Sequence, residues 1–432
     1  MTAPARKIGL IAATALVLGN MVGSGVFLLP ATLAPYGSYS LMGWVVSAIG
    51  ALLLAGVFYR LARRAPLAGG PYAYSREAFG DCPGFLVAWV YWVAVVGSNA
   101  AIAVAFASYL SALVPVLATT PFLGALVALA VIWGLTLVNI AGIRAASAVQ
   151  VATTILKLLP LIALAAVGLW HFDPGLLAPA TSADTPLHAI NVSVAATMFA
   201  FIGVECATIP AGHVRDAERT IPRATLLGTL AAAVVYIACT LGVMGVLPAV
   251  VLADSQAPFA DAARVLWGNW AAYLIAGAAI ISCFGALNGW TLIAGQFAEA
   301  VARDGLFPRF LAADSTRGVP VVALVVGATI GSVIVLANYS RGMVGMFTFI
   351  ILLTTLGNVM AYLFSAVADV VLALRDQRAV PVRHVLLAGA AFAFTVWAVI
   401  GAGPAAAQWN LILLLLGLPL YAWQSWTRTR PT

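Results

Sequence analysis

Leu18-Gly19-Asn20-Met21-Val22-Gly23-Ser24-Gly25-Val26-Phe27 lies in the middle of the first long apolar run of the chain. Three glycines, one asparagine and one serine within residues 19–25 are poorly suited to a plain membrane helix. Glycine costs a helix interior about 1 kcal/mol relative to alanine. In hydrocarbon, each backbone group released from a helix must find another partner or line a wet cavity. The stretch therefore predicts a deliberate break in a spanning helix, and the other helices are expected to present that break to a solute.

The surroundings of this stretch settle the class. The 432 residues are 63% hydrophobic and only 8% charged, where a soluble domain averages about 25% charged. A cleaved secretory signal is not expected, because the first apolar run begins at Ile8 and leads straight into further apolar runs. Cys206, Cys239 and Cys283 lie in apolar runs and Cys82 lies near a basic loop, which predicts reduced thiols without a disulfide framework. No metal-ligand spacing occurs, and no cofactor is expected. His171, His188, His213 and His384 all fall at loops or helix ends and read as surface residues.

A spanning helix needs about 20 mostly apolar residues. Twelve such spans are predicted, near 8–30, 39–61, 83–114, 121–142, 149–170, 189–211, 224–247, 270–300, 319–338, 343–373, 384–403 and 407–425; they are numbered 1 to 12 below. The basic residues alternate with them. Arg6, Lys7, Arg60, Arg63, Arg64, Arg76, Arg144, Arg215, Arg219, Arg223, Arg303, Arg309, Arg317, Arg375, Arg378, Arg383, Arg428 and Arg430 fall on one side. Only Arg264 and Arg341 fall on the other, and Lys157 is left inside span 5. The positive-inside rule places both termini in the cytoplasm. The net charge of +7 thus reflects membrane orientation, and nucleic acid is not an expected partner.

Five spans is an odd number, so a second set of five would enter from the opposite face. Gly23 comes 15 residues after Ile8, about 22 Å into span 1 at the helical rise, and Gly203 comes 14 residues after Ala189 in span 6. Two glycine-marked interruptions would then reach similar depth from opposite faces, the pattern of an inverted repeat with two discontinuous helices. The expected organisation is one transporter domain over 1–432, with a first repeat at 8–170, an inverted repeat at 189–373 and two additional helices at 384–425.

Several motifs resemble the amino acid–polyamine–organocation (APC) superfamily, and in particular its bacterial arginine/agmatine antiporter branch. They are Gly-Asn-Met-Val-Gly-Ser-Gly-Val-Phe-Leu-Leu-Pro (19–30), Pro66-Leu-Ala-Gly-Gly-Pro-Tyr-Ala-Tyr with Phe79-Gly80, Phe201-Ile-Gly-Val-Glu-Cys-Ala (201–207), Gly289-Trp-Thr-Leu-Ile-Ala-Gly-Gln (289–296) and Asp304-Gly-Leu-Phe-Pro (304–308). The resemblance implies an all-α integral membrane protein of twelve helices with the LeuT-like 5+5 inverted repeat. It also implies a bacterial inner-membrane location and a homodimer, although no residue marks a dimer interface.

Site residues follow from both sources. Unwound amides and the hydroxyl at Gly23, Ser24 and Gly25 suit a substrate carboxylate, because free N–H groups at a helix start attract anions; close helix packing through small residues is the plainer alternative. The resemblance adds the neighbouring Asn20 and Met21. It also implies that carbonyls near Gly203 receive the substrate amine, and that Ile202 lines the pocket. Glu205 is the one carboxylate deep in an apolar run. It costs at least about 2.5–3.5 kcal/mol there, which reads as a gating or proton-sensing acid, or as a protonated acid tying helices together.

Phe199, Trp290 and Tyr91 are candidates for an aromatic box with cation–π capacity. The resemblance makes Trp290 and Tyr91 gate residues. It expects Trp at 199, so Phe199 departs from the arginine pattern. By resemblance Asn99, Ala94, Val95 and Thr354 contact the substrate side chain; the alternatives are an interhelical hydrogen bond for Asn99 and a backbone-bonded hydroxyl for Thr354. Lys157, near the end of span 5, would either snorkel or occupy the place where sodium-coupled relatives hold a cation, as in the broader permeases.

The expectation is an alternating-access transporter of an amino acid or its decarboxylated amine, first of all an arginine/agmatine-type exchanger. The alternative is a proton-coupled, sodium-independent permease using Lys157. An enzyme would need clustered acids, a His–Ser pair or metal ligands inside the bundle. A channel would need a continuous polar ring, and a sensor would usually carry a signalling domain beyond these short tails.

Overall fold

Every described element of the protein is helical. The computed structural model describes residues 9–64, 69–141, 143–177, 185–208, 214–312, 319–376 and 380–429. Arg6, Lys7, Pro66, Leu67, Ala68, His213, Arg317, Arg378 and Arg430, which entered the sequence reading, lie outside the described residues, as do the side chains of Arg144 and Arg428.

The predicted spans are recovered with adjusted ends. Span 1 is two helices, Leu10–Met21 and Ser24–Leu33. Spans 2 to 5 are Tyr39–Arg64, Asp81–Ser111, Pro121–Ala141 and Ile143–Trp170. Span 6 is the short helix Pro186–Ala200, followed by one 3-10 turn at Cys206–Thr208. Spans 7 to 12 are Ala217–Met244, Asn269–Arg303, Val321–Asn338, Met343–Arg375, Val382–Gly401 and Gly403–Thr429. Among the described residues ten spans are long and apolar enough to cross a membrane, and the apolar stretches Leu156–Trp170 and Pro186–Ala200 are shorter. The helix of span 6 ends at Ala200, where the chain turns out of it at Phe201; residues 209–211 of the predicted span lie outside the described residues.

Among the shorter helices between the spans, which were not anticipated, two share one design. Pro71–Phe79 runs through Gly80 (φ +90°, ψ −173°) directly into span 3. Pro258–Trp267 runs through Gly268 (φ +86°, ψ −175°) directly into span 8. Each begins with proline in its first turn, where the missing N–H is harmless, and ends at a glycine whose positive φ an L side chain would resist. The same local device thus precedes the third and the eighth span.

Span 3 lies at the centre. It packs along span 10 so closely that glycines mark the seam: a Cβ on Gly97 would overlap the Thr354 methyl, and one on Gly357 would lie 2.8 Å from Ala94 Cβ. On the face that carries most of the basic residues, ion pairs tie spans 2, 10 and 11 together. Asp369, almost fully buried, accepts from Arg60 Nε at 2.9 Å and from His384 Nε2 at 3.0 Å. His384 is therefore a structural partner and not the free surface residue expected from its position. Arg64 chelates Asp376 at 2.7 and 2.8 Å. Tyr72 donates to Asp304 at 2.7 Å; burial and that carboxylate raise the Tyr72 hydroxyl pKa above its ordinary value, keeping it a donor.

Cys82 is half-buried at the start of span 3, whereas Cys206, Cys239 and Cys283 are buried. If the basic face is cytoplasmic, a membrane-impermeant maleimide will label Cys82 in inside-out vesicles and leave it unmodified in right-side-out vesicles. The opposite pattern would invert the predicted orientation.

Candidate functional site: two broken helices

Span 1 breaks where the glycine-rich stretch predicts. Val22 N–H still reaches Leu18 O at 2.8 Å, but Val22 (φ −73°, ψ 84°) and Gly23 (φ −127°, ψ −137°) leave helical geometry, and the helix restarts at Ser24. No side chain caps the new N-terminus, so its first amides point at whatever occupies the break.

Span 6 breaks opposite. Phe201 and Ile202 close the helix with turns to Met198 O and Phe199 O at 3.0 and 3.2 Å, and Gly203 then takes φ +112°. The two breaks touch. A Cβ on Gly25 would lie 3.1 Å from Ala200 Cβ, and a Cβ on Gly203 would lie 3.2 Å from Trp290 Cζ2 and 3.6 Å from Met21 Cγ. The glycines are present because backbone approaches backbone and ring at these points.

Between them lies a cleft lined by Asn20, Met21, Gly23, Ser24 and Gly25 from span 1, Phe199, Ala200 and Ile202 from span 6, Ser98 and Ile102 from span 3, and Trp290 from span 8. Its free space is about 20 Å³, room for about one water. Among the described residues the Asn20 amide oxygen and the Ser24 hydroxyl are buried with no hydrogen-bond partner, and the Asn20 amide N–H has only the Cys206 sulfur as a weak acceptor beside it. Orphaned buried polar groups are costly, and these two at one cleft form a ready cradle for a polar solute. Trp290 donates to Asn20 O at 3.1 Å, so the predicted gate is pinned to the last turn before the break. Phe199 stands edge-on to Phe347 at 5.8 Å.

Glu205 sits one turn behind the cleft and is fully buried. Its carboxylate accepts from Tyr91 at 2.5 Å, Tyr362 at 2.6 Å and Gly203 N–H at 3.2 Å. The broken turn of span 6 is thereby tied to span 3 and span 10. Tyr91 was expected here. Tyr362 was missed, because one tyrosine among the apolar residues of span 10 carries no signal until its neighbour across the bundle is known.

Lys157 is fully buried and does not snorkel. Its Nζ donates to Gly19 O at 2.5 Å and Val22 O at 2.7 Å, the carbonyls released where span 1 unwinds. The ammonium therefore bridges span 5 to the break.

Four predicted contacts lie outside the cleft lining. Thr354 donates back to Ile350 O at 2.9 Å, and it and Ala94 pack in the seam between spans 3 and 10. Val95 is buried in the core. Asn99 faces a separate space shared with Thr136 and Thr291, where its Oδ1 has no partner. Ser98, one residue earlier, lines the cleft in its stead. Among the described residues no group of His, Cys, Asp or Glu could hold a metal ion.

A family model for amino acid permeases matches residues 8–420. The chain is an amino acid permease of the APC superfamily. The family is one of transporters, not enzymes. The permease is 40% identical over 330 residues to the cadaverine/lysine antiporter of Escherichia coli (strain K12), covering 75% of this chain and 73% of that protein. It is 30% identical over 431 residues to the putrescine transporter PotE of Haemophilus influenzae, covering 99% of each. It is 33% identical over 454 aligned positions to a putative arginine/ornithine antiporter of Bacillus subtilis, covering 96% of this chain and 95% of that protein.

The contact between the breaks is testable at Gly203. Gly203→Ala places a methyl against Trp290 on a backbone at positive φ, a strain of about 1–3 kcal/mol. Titration calorimetry with an amino-acid or amine substrate on the purified permease is expected to show affinity lowered by roughly tenfold or more, about 1.4 kcal/mol. Wild-type affinity would mean that the breaks do not shape the site.

Proposed function

We propose that the permease exchanges a basic amino acid for a di- or polyamine by alternating access, without sodium. The observation carrying this reading is the paired break with its unsatisfied Asn20 and Ser24 groups. The amides before Ser24 and Gly25 and the Ser24 hydroxyl receive the carboxylate end of an amino acid, and the carbonyls around Gly203 receive an amine. The two breaks entering from opposite ends of the chain, and the matching helix–glycine–helix devices before spans 3 and 8, support a 5+5 inverted repeat over 8–170 and 189–373, with 384–425 appended.

Relatives named for lysine, cadaverine, putrescine, arginine and ornithine share the use of cationic substrates. The arginine/agmatine pair expected from the motifs belongs to this class, but Phe199 favours a simple ammonium over guanidinium stacking, so lysine with cadaverine is the better-supported pair. Trp290 and Tyr91 occlude the site: the 20 Å³ cleft holds no amino acid until Trp290 leaves Asn20 O. Glu205 responds to protons, because the hydrogen bonds from Tyr91, Tyr362 and Gly203 hold its carboxylate, and taking up a proton loosens the turn of span 6. Lys157 supports sodium independence in this exchange reading and equally in the proton-coupled alternative.

Uptake of labelled lysine into proteoliposomes separates these readings. Preloading with cadaverine or lysine is expected to accelerate uptake severalfold over empty vesicles, in sodium-free buffer. Equal uptake into empty vesicles under an imposed proton gradient would replace exchange by proton coupling, and stimulation only by neutral amino acids would remove the cationic substrate class. Glu205→Gln, which resembles the protonated acid at every pH, should flatten the dependence of exchange on pH. A profile identical to wild type would remove Glu205 from proton sensing.

A further inference from the structure

Outside the turn of span 3 that carries Tyr91 lies a second space, about 200 Å³ against about 20 Å³ at the breaks. All of its lining is apolar. Phe85, Trp89 and Trp92 of span 3 form one wall, and Leu306 to Leu311 of the segment after span 8, apart from Arg309, form another. Val326 and Ile330 of span 9 and Leu420 of span 12 complete it. The indole N–H groups are already committed, Trp89 to Leu413 O at 2.8 Å and Trp92 to Ala294 O at 3.1 Å. The space therefore offers ring faces and methyls with no polar handle, and its occupant must be hydrocarbon where it enters.

Its shape suits a chain. The floor is buried at Phe85, Trp92 and Phe307, whereas Trp89, Val326, Ile330 and Leu420 are partly exposed, so the space opens sideways between spans 9 and 12. From Phe85 to Trp92, and from the start of span 9 at Val321 to Ile330, it runs about 10–14 Å into the bilayer at the helical rise. The mouth is at the membrane edge that carries most of the basic residues. There Pro308, Arg309 and Phe310 follow one another, with Arg309 and Phe310 exposed. Among the described residues the other charges near this mouth are engaged: Arg303 with Glu299, and Asp304 with Arg76 and Tyr72. Arg309 makes no ion pair among the described residues.

We propose that this space binds one acyl chain of an anionic phospholipid, with the lipid phosphate on Arg309. The seated chain packs against the back of the turn that aims Tyr91 at Glu205. Through Trp92 it also backs Ala294, one turn beyond Trp290 in span 8. A lipid is thus built into the wall behind both gate residues.

Brominated acyl chains quench tryptophan on contact, so the permease reconstituted in phosphatidylcholine vesicles reports its own lipid. Brominated phosphatidylglycerol, added at increasing fraction, is expected to quench at roughly fivefold lower content than brominated phosphatidylcholine, the preference that one basic residue confers at an anionic headgroup. Arg309→Gln, a surface change, should abolish that preference. Trp89→Phe should remove much of the selective component, and Val326→Phe should exclude the chain and lower quenching by both lipids. Equal quenching by the two lipids in the wild type would overturn the proposal, as would a preference that survives Arg309→Gln. The measurement needs no transport, so its failure leaves the exchange reading standing.

Discussion

A lysine ammonium holding two backbone carbonyls inside a membrane is the interaction on which the rest of this permease depends. Where span 1 unwinds, Gly19 O and Val22 O lose helical partners, and hydrocarbon supplies none. Lys157 Nζ takes both. The break thereby becomes a fixed feature. With it fixed, the new helix start at Ser24 can aim its amides into the bundle, and Gly25 can bring that start onto Ala200 at the end of the first part of span 6.

The second broken helix is held by the opposite chemistry. Glu205 gathers Tyr91, Tyr362 and the Gly203 amide around one carboxylate. The Lys157 amine takes released carbonyls on one side and the Glu205 carboxyl takes a released amide on the other. Both side chains are fully buried, where an unpaired ion would cost several kcal/mol, and both are held by converging partners. The candidate cleft lies between these two anchors, and its Asn20 and Ser24 groups are the remaining unmet demand.

Much of this was legible in the chain. Gly19 to Gly25 broke the apolar pattern of span 1, and the apolar runs marked the long helices. Buried charges are so rare in such a composition that Glu205 and Lys157 stood out alone. Reading failed where the signal is tertiary. Tyr362 and Ser98 have no distinguishing neighbours in sequence, and become visible only when spans 3 and 10 are packed. Asn99 and Thr354 were assigned to the substrate through motif resemblance, yet a shift of one position around span 3 decides whether a side chain meets the cleft, the seam with span 10 or a separate space. The helices before Gly80 and Gly268 were overlooked because short amphipathic segments between long apolar runs read as loops. His384 looked like a surface residue because its partner Asp369 is on another span.

The central claim is that Lys157 creates the site by holding the break in span 1. Amino-acid exchange by the Lys157→Met permease, which keeps the length and apolar stem of the side chain, tests it most directly, alongside Lys157→Arg and with melting curves to establish folding. The account predicts a folded Met variant with exchange reduced by at least about tenfold, a loss of about 1.4 kcal/mol or more, which added sodium does not restore, and partial recovery in the Lys157→Arg variant. A folded Met variant that exchanges at the wild-type rate would contradict it.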